Sequence, residues 1–518
     1  MSTADLILAA DFGTSGVKIG AVGPDLVPVA TTVEPYPLHL PAPSHAEQIP
    51  EDWWNALARG IARLKAEIPD LAARCGAVVF TAQLCAVICA KSDGTVLRPA
   101  MVWLDKRAAP LIRKRMGGLV TLAGYNLPFL LRSIRIANGA PSHNGMDPPG
   151  KMLWLMQHEP DVFSGADHIL DVKDWLLLRA TGTVTTTADS ANLTWLMDTR
   201  RGREGWSPKL AHHLGLTLDK LPKIVDGTEV VGGLTREAAE GLGLRADIPV
   251  VAGGGDVTAT AIGSGAVADG ALHLCLSTSS WVSGFYDRRV LNIFASYATV
   301  TSAIGHRPLL IATQESAGSA LAWLARMQGA GTDDAALSAY YDRIGNYAAD
   351  DPFFLPWLAG ERSPMDEERL RGAFYGLNLR HGPEALKRAA LEGVACNIRW
   401  AYDLVAKERG TRTDGPIPAV GGAAANPQLA QALADVLNRP ISVGETALAG
   451  MRGAAAIAAP TLGWAGDVWQ AAGRLRDGPA RNFVPDPGRV AMLQDRYAEL
   501  ALLRKSLAKL YKRRKGKA

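Results

Sequence analysis

Cysteine is scarce in this chain: five residues (Cys75, Cys85, Cys89, Cys275 and Cys396), an odd number with no Cys-x-x-Cys pair, among 518. That excludes a disulfide framework or a cysteine zinc ribbon and leads us to expect reduced thiols and a cytoplasmic protein. Long apolar runs are missing too, since charges, prolines or glycines interrupt every hydrophobic stretch short of the ~18–20 residues a membrane span needs. The first ten residues carry no basic leader, so no secretory signal is expected. No Gly-Lys-Ser/Thr loop opens a helix, which excludes a Walker A nucleotide site. Acidic residues are absent from Arg504–Ala518, where eight are basic (Arg504, Lys505, Lys509, Lys512, Arg513, Arg514, Lys515 and Lys517). Setting those eight aside turns the formal charge of +4 into −4, so the body is mildly acidic. Nucleic acid and membrane are therefore not expected partners, and the tail reads as a solvated helix end.

What is present is a large globular core, with 48% hydrophobic and 20% charged residues. The length exceeds the ~250–300 residues at which one core stops growing, so two domains are expected. The most informative stretch is Leu6–Val22, LILAADFGTSGVKIGAV. Leu6–Ala10 and Val17–Val22 are β-capable runs, and Asp11–Gly16 turns between them. Gly13 and Gly16 permit close backbone approach, while Thr14 and Ser15 offer hydroxyls and N–H groups of the kind that cradle phosphate oxygens. Lys18 adds a point charge. Asp11, closing a buried strand, suits Mg²⁺, directly or through its waters. A plain tight turn uses the same residue types, so the hairpin alone leaves both readings open.

Leu26–Glu34 reads as a third strand and Pro35–Pro50 as a crossing loop. Glu51–Ile68 reads as a helix whose Trp53, Trp54, Leu57, Ile61 and Leu64 recur at helical spacing and belong to the core. Ala77–Gln83 is strand-like, and Trp103–Arg107 (WLDKR) follows. In a polyol pocket Gln83 exchanges hydrogen bonds, Trp103 covers a carbon face and Asp105 accepts from hydroxyls. A sheet-edge glutamine and a buried tryptophan give the same pattern. Asp171–Thr181 reads as a helix stopped by Gly182, and Asp189–Asn192 as a polar loop.

Ile248–Ala266 delivers a strand, then Gly253-Gly254-Gly255, then Asp256 at a helix start. A carboxylate so placed can take a proton from an attacking hydroxyl; as a bare helix cap it would leave the three glycines unexplained. Leu272–Gly284 (LHLCLSTSSWVSG) repeats the opening design, so each half carries one such hairpin and a boundary falls near residue 250. The division expected is 1–250, 251–480 and a helix with basic tail over 481–518. Ile417–Gln428 is a strand with a Gly421-Gly422 turn and Asn426 at a helix start, leaving room for a flat base and sugar. Ala447–Ala459 is a small-residue helix suited to close packing.

The ordered set DFGTSGVK, WLDKR, GGGD, STSS, AGERSP, GLNLRH and Gly421-Gly422 resembles the FGGY carbohydrate kinases, the xylulokinases among them, over roughly residues 5 to 460. The resemblance implies an α/β fold of two actin-like, ribonuclease-H-like domains with mixed five-stranded sheets about a central cleft. It also implies ATP and Mg²⁺ as cofactors and a sugar or polyol as substrate. Carried over, Asp11 serves Mg²⁺, with Asp256 beside it as metal contact and general base. Gly13, Thr14, Ser15 and Lys18 line one phosphate turn and Ser277, Thr278 and Ser279 the other. Gly421, Gly422 and Asn426 border adenosine, and Gln83, Leu84, Cys85, Trp103 and Asp105 fall near the sugar. Three positions depart from the pattern: Cys85 where xylulokinases carry a histidine, Ser277 for a glycine, and Val257 for an asparagine. The expected activity is phosphorylation of a terminal hydroxyl of D-xylulose, a related ketose or a polyol; a sugar sensor with weak turnover is the alternative. A homodimer is the default assembly.

Overall fold

The computed structural model describes residues 4–513 apart from 366, 477 and 479. Arg514, Lys515 and Lys517 of the basic tail lie outside the described residues. The chain forms two compact units, the first from residues 1–265, 299–309 and 450–476 and the second from 266–298, 310–449 and 477–518.

The first unit is built on a mixed sheet of six strands: β1 (Leu6–Phe12), β2 (Gly16–Val22), β3 (Pro28–Pro35), β4 (Cys75–Ala82), β5 (Val230–Gly233) and β6 (Pro249–Gly255) in the order β5-β6-β4-β1-β2-β3. The antiparallel meander β1-β2-β3 is the one expected. β1, β4 and β6 run parallel, so their carboxyl ends share one edge, where open α/β sheets bind ligands. Helix α1 (Pro50–Glu67) packs Trp53, Leu57, Ile61 and Leu64 into this core with no exposure. Each such side chain contributes about 1.5–3 kcal/mol of burial. Helix α2 (Val172–Thr181) starts on an Asp171/Asp174 capping box and ends on left-handed Gly182, the stop its sequence predicts.

The division expected at residue 250 would cut β6 in two. Because β6 is hydrogen-bonded in parallel to β4, it and helix α3 (Asp256–Gly263) stay with the first unit, and so does Asp256. Helix α4 (Ala449–Ala458) is the close-packing helix anticipated. A Cβ on Gly453 would lie 1.8 Å from the Ala259 carbonyl oxygen, and one on Gly450 2.5 Å from Asp11 Oδ2.

The second unit carries an eight-stranded sheet. At its centre β7 (Leu272–Leu276) pairs antiparallel with β8 (Ser280–Phe285) and parallel with β9 (Ile417–Val420). Both sheets thus exceed the five strands implied by the resemblance. The Pro356–Pro364 loop, which carries the AGERSP motif, lies within this unit. There Glu361 is buried and accepts hydrogen bonds from the Glu315 and Arg362 N–H groups and from Asn397 Nδ2.

Candidate active site

The first hairpin closes with a Gly13 N–H to Gly16 O bond of 3.0 Å. Its tip carbonyls are drawn away: Tyr36 Oη donates to Gly13 O (2.5 Å), Gln48 Nε2 to Thr14 O (2.8 Å) and the Tyr36 N–H to Ser15 O (3.3 Å). The N–H groups of Thr14 and Ser15 make no hydrogen bond among the described residues. Two donors are therefore left for a ligand, since an unpaired N–H is costly unless water or ligand reaches it.

The second hairpin reaches the same state by another route. Ser277 N–H donates to Ser279 O, while the N–H groups at the start of helix Gly318–Met327 occupy the tip carbonyls: Gly318 donates to Ser277 O (2.9 Å), Ala317 and Ser319 to Thr278 O (3.1 and 3.0 Å). The Thr278 and Ser279 N–H groups make no hydrogen bond among the described residues. Ser277 Oγ turns back onto Ser279 O at 3.3 Å.

Asp11 pairs across the ladder with Lys18. Burial raises its pKa, and the Lys18 charge partly offsets that. Its carboxylate has no hydrogen-bond partner among the described residues. Asp256 opens α3 and accepts its hydrogen bond from the Val257 N–H (2.8 Å). Burial first, and then the Asp11 charge, push its pKa up to about 7. A carboxylate whose ionisation is made costly by a second carboxylate suits a divalent cation taken up with it. No group of three or more His, Cys, Asp or Glu capable of holding a metal occurs among the described residues, so a cation held here keeps water or ligand oxygens for its other positions. That is how Mg²⁺ is usually held.

Asp256 is set in place by Asp189, which sequence reasoning left as an anonymous loop residue. Asp189 is buried, and its Oδ2 accepts from the Gly255 N–H and Thr258 Oγ1, both at 2.7 Å. The three glycines before Asp256 prove to serve packing. Gly253 sits at φ +71° in a β-bulge with its missing Cβ 2.1 Å from the Phe80 carbonyl oxygen, and a Cβ on Gly255 would strike Leu84 at 2.5 Å.

Gln83, Thr14 and Trp103 come together as one cluster. Trp103 Nε1 donates to Thr14 Oγ1 (2.9 Å), Thr14 Oγ1 to Gln83 Oε1 (3.3 Å) and Gln83 Nε2 to Gln48 Oε1 (2.7 Å). The Thr14 hydroxyl, expected at a phosphate, is thus engaged with two residues expected at the sugar. Gln48 and Tyr36 lie in or beside the Pro-rich crossing loop, where no pattern marked them. Leu84 is buried, and Cys85 is half-buried at φ +69°. Asp105 stands apart from this cluster: it is fully buried and its oxygens are taken by the Ala46 N–H and by Arg107. It holds the 103–107 turn and presents no oxygen to a ligand.

In the second unit, Gly421 (φ +92°) brings the turn against β7, where a Cβ would lie 2.3 Å from Leu276 O. Gly422 and Asn426 line a pocket with Leu321, Leu337 and Tyr341. Asn426 Oδ1 caps helix Pro427–Leu437 through the N–H groups of Gln428 and Leu429.

Among the described residues no helix is long and apolar enough to cross a membrane. Comparison with known proteins agrees with the two-part architecture. Residues 6–263 match the N-terminal domain, and 278–462 the C-terminal domain, of the FGGY family of carbohydrate kinases. The chain is 31% identical over 434 residues to the xylulose kinase of Escherichia coli K12, covering 83% of this chain and 84% of that one. Among solved structures, a xyloylose kinase from Brucella ovis aligns with a TM-score of 0.84 at 26% identity, covering 98% of this chain and 100% of that one. A gluconate kinase from Lactobacillus acidophilus aligns with a TM-score of 0.84 at 25% identity, covering 98% and 99%. The fold is the two-part, actin-like α/β fold of these enzymes, and the chain belongs to the FGGY family of carbohydrate kinases, ATP-dependent phosphotransferases that act on sugars.

Proposed function

We propose that this kinase phosphorylates a terminal hydroxyl of a ketopentose, D-xylulose or a related ketose, or of a polyol, with Asp256 as general base. The observation that carries the reading is Asp256 itself. It projects from the carboxyl end of β6, one oxygen steadied by the Val257 N–H, where a carboxylate can accept the proton of an attacking hydroxyl. The hydroxyl's proton passes to the Asp256 carboxylate as the hydroxyl oxygen forms its bond to phosphorus, and the bond from that phosphorus to the bridging oxygen breaks, its electron pair leaving with ADP. Asp189 keeps the carboxylate's backbone fixed during that transfer. When bound, Mg-ATP supplies the γ-phosphoryl group and neutralises charge on its oxygens. Asp11, with Asp256, would hold the metal. The unpaired N–H groups at Thr14, Ser15, Thr278 and Ser279 would receive phosphate oxygens, helped by Lys18, and the Gly422–Asn426 pocket would receive the adenosine. Most of the protein's contribution in phosphoryl transfer is of this positioning and electrostatic kind.

The xylulose kinases among the similar proteins support a ketose. Cys85, in place of a histidine, and the likeness to a gluconate kinase keep the acceptor wider than D-xylulose. Intact Asp11 and Asp256 favour turnover over sugar sensing. ADP release should be measured with Mg-ATP against ketopentoses, aldoses, pentitols, glycerol and gluconate, with Asp256→Asn alongside. The expected result is turnover of one acceptor class, lost by 10²–10⁴-fold in the variant with ATP binding intact. Near-normal turnover in Asp256→Asn would remove it from the role of base.

A further inference from the structure

Lys151 is a lysine with no exposure at all, on helix Pro148–His158. Its neighbours in the sequence KMLWLMQHE are those of an ordinary core helix, and a methionine would fill its volume without the several kcal/mol that burying an ammonium costs. What the ammonium does is specific. Nζ donates to the Cys85 carbonyl oxygen and to the Val102 carbonyl oxygen, both at 2.7 Å. These carbonyls belong to the two segments that carry Gln83, Leu84 and Cys85 on one side and Trp103 on the other. Asp171 grips the first segment from its other end, accepting from the Cys85 and Ala86 N–H groups at 3.2 and 2.9 Å. Both peptide groups of Cys85 are therefore held by buried side chains, an ammonium on one side and a carboxyl group on the other. Between them Cys85 keeps a left-handed φ of +69°, a conformation costing a non-glycine residue roughly 1–2 kcal/mol. Burial lowers the Lys151 pKa to about 8, while the carboxylates of Asp105, Asp147 and Asp171 oppose that shift and keep it cationic at neutral pH.

We propose that Lys151, with Asp171 as its counterpart, is a positioning residue for the acceptor sugar. One ammonium fixes the spacing between the Gln83–Ala86 loop and Trp103, and so sets which acceptors fit. This rests on the reading of those loops as the sugar side of the site. A second buried lysine provides the control: Lys173 is 1% exposed and pairs with Asp174 at 3.3 Å, and among the described residues it makes no hydrogen bond to either loop.

Three variants, Lys151→Met, Asp171→Asn and Lys173→Met, should be compared for KM of D-xylulose, KM of ATP, kcat and thermal midpoint. Deuterium uptake of peptides spanning 83–86 and 102–103 should be read in the same proteins. For Lys151→Met and Asp171→Asn the expected result is a rise of tenfold or more in KM for the sugar, with KM for ATP within twofold, and faster uptake in the 83–86 peptide. Lys151→Met alone should also loosen 102–103. Lys173→Met should lower the thermal midpoint and leave the sugar KM alone. If sugar and ATP constants move together in proportion to lost stability, or if uptake at 83–86 is unchanged in a folded Asp171→Asn, the inference is overturned. The uptake arm needs no turnover, and it stands apart from the Asp256→Asn test of the proposed function.

Discussion

The two Thr-Ser hairpins end in the same way and are built differently. In both, the tip carbonyls are occupied and two N–H groups are left unpaired. In the first, side chains of Tyr36 and Gln48 take most of the carbonyls; in the second, the backbone start of a helix does. Counting back from the tips, Asp11 corresponds to Cys275 and Ala9 to His273. Asp11 faces Lys18 across its ladder, whereas Cys275 faces Trp281. What the two share is the presentation of N–H groups; ionic chemistry belongs to the first alone.

The sharpest test of that division is a pair of substitutions at corresponding places. Asp11→Asn should cut kcat by about 10²–10⁴-fold with the fold intact, while Cys275→Ala should leave turnover within a few-fold. Equal losses at both would erase the asymmetry. Next comes His273, fully buried with neither ring nitrogen hydrogen-bonded among the described residues; burial lowers its pKa to about 4. The folded state thus binds this proton less readily than the unfolded chain. Stability is intact above pH ~6.5 and declines as pH falls towards 4, by up to about 3 kcal/mol at this site. His273→Leu should flatten urea midpoints between pH 6.5 and 4, and an unchanged slope would contradict the assignment. Gly318→Ala should be felt less, at about 1–3 kcal/mol, because its Cβ would meet Ser277 O at 2.5 Å and push the second tip. Its KM for ATP should rise several-fold, and an unmoved KM would free that tip from nucleotide binding. Tyr36→Phe deletes one bond to Gly13 O, about 1 kcal/mol, and should raise the ATP constant less than threefold.

Much of this was legible in the sequence because hairpins, caps and catalytic acids carry local signals. LILAADFGTSGVKIGAV gives its own turn, and the Gly182 stop marks the end of α2 without any knowledge of its partners. Asp189, Gln48, Tyr36 and Lys151 were not legible, because each acts on backbone atoms far along the chain. Asp189 reaches Gly255, and Lys151 reaches Cys85 and Val102. The glycines before Asp256 marked the right place, and what their missing Cβ atoms make room for, Phe80 and Leu84, lies too far off in the chain to be read there. Asp105 looked like a sugar ligand because an acid beside a tryptophan suits a polyol, yet Arg107 two residues on claims it. The unit boundary was misplaced because strand pairing between β6 and β4 leaves no mark at residue 250.

The first unit is assembled from three separate lengths of chain, and Gly450, which lies against Asp11, follows it by more than four hundred residues. During synthesis at ~5–20 residues per second, Asp11 must wait tens of seconds for the helix that shelters it. Until then its sheet exposes apolar surface that the finished protein hides. Fragments ending before residue 476 should need a chaperone, and so should a nascent chain paused there, whatever the stability of the completed enzyme.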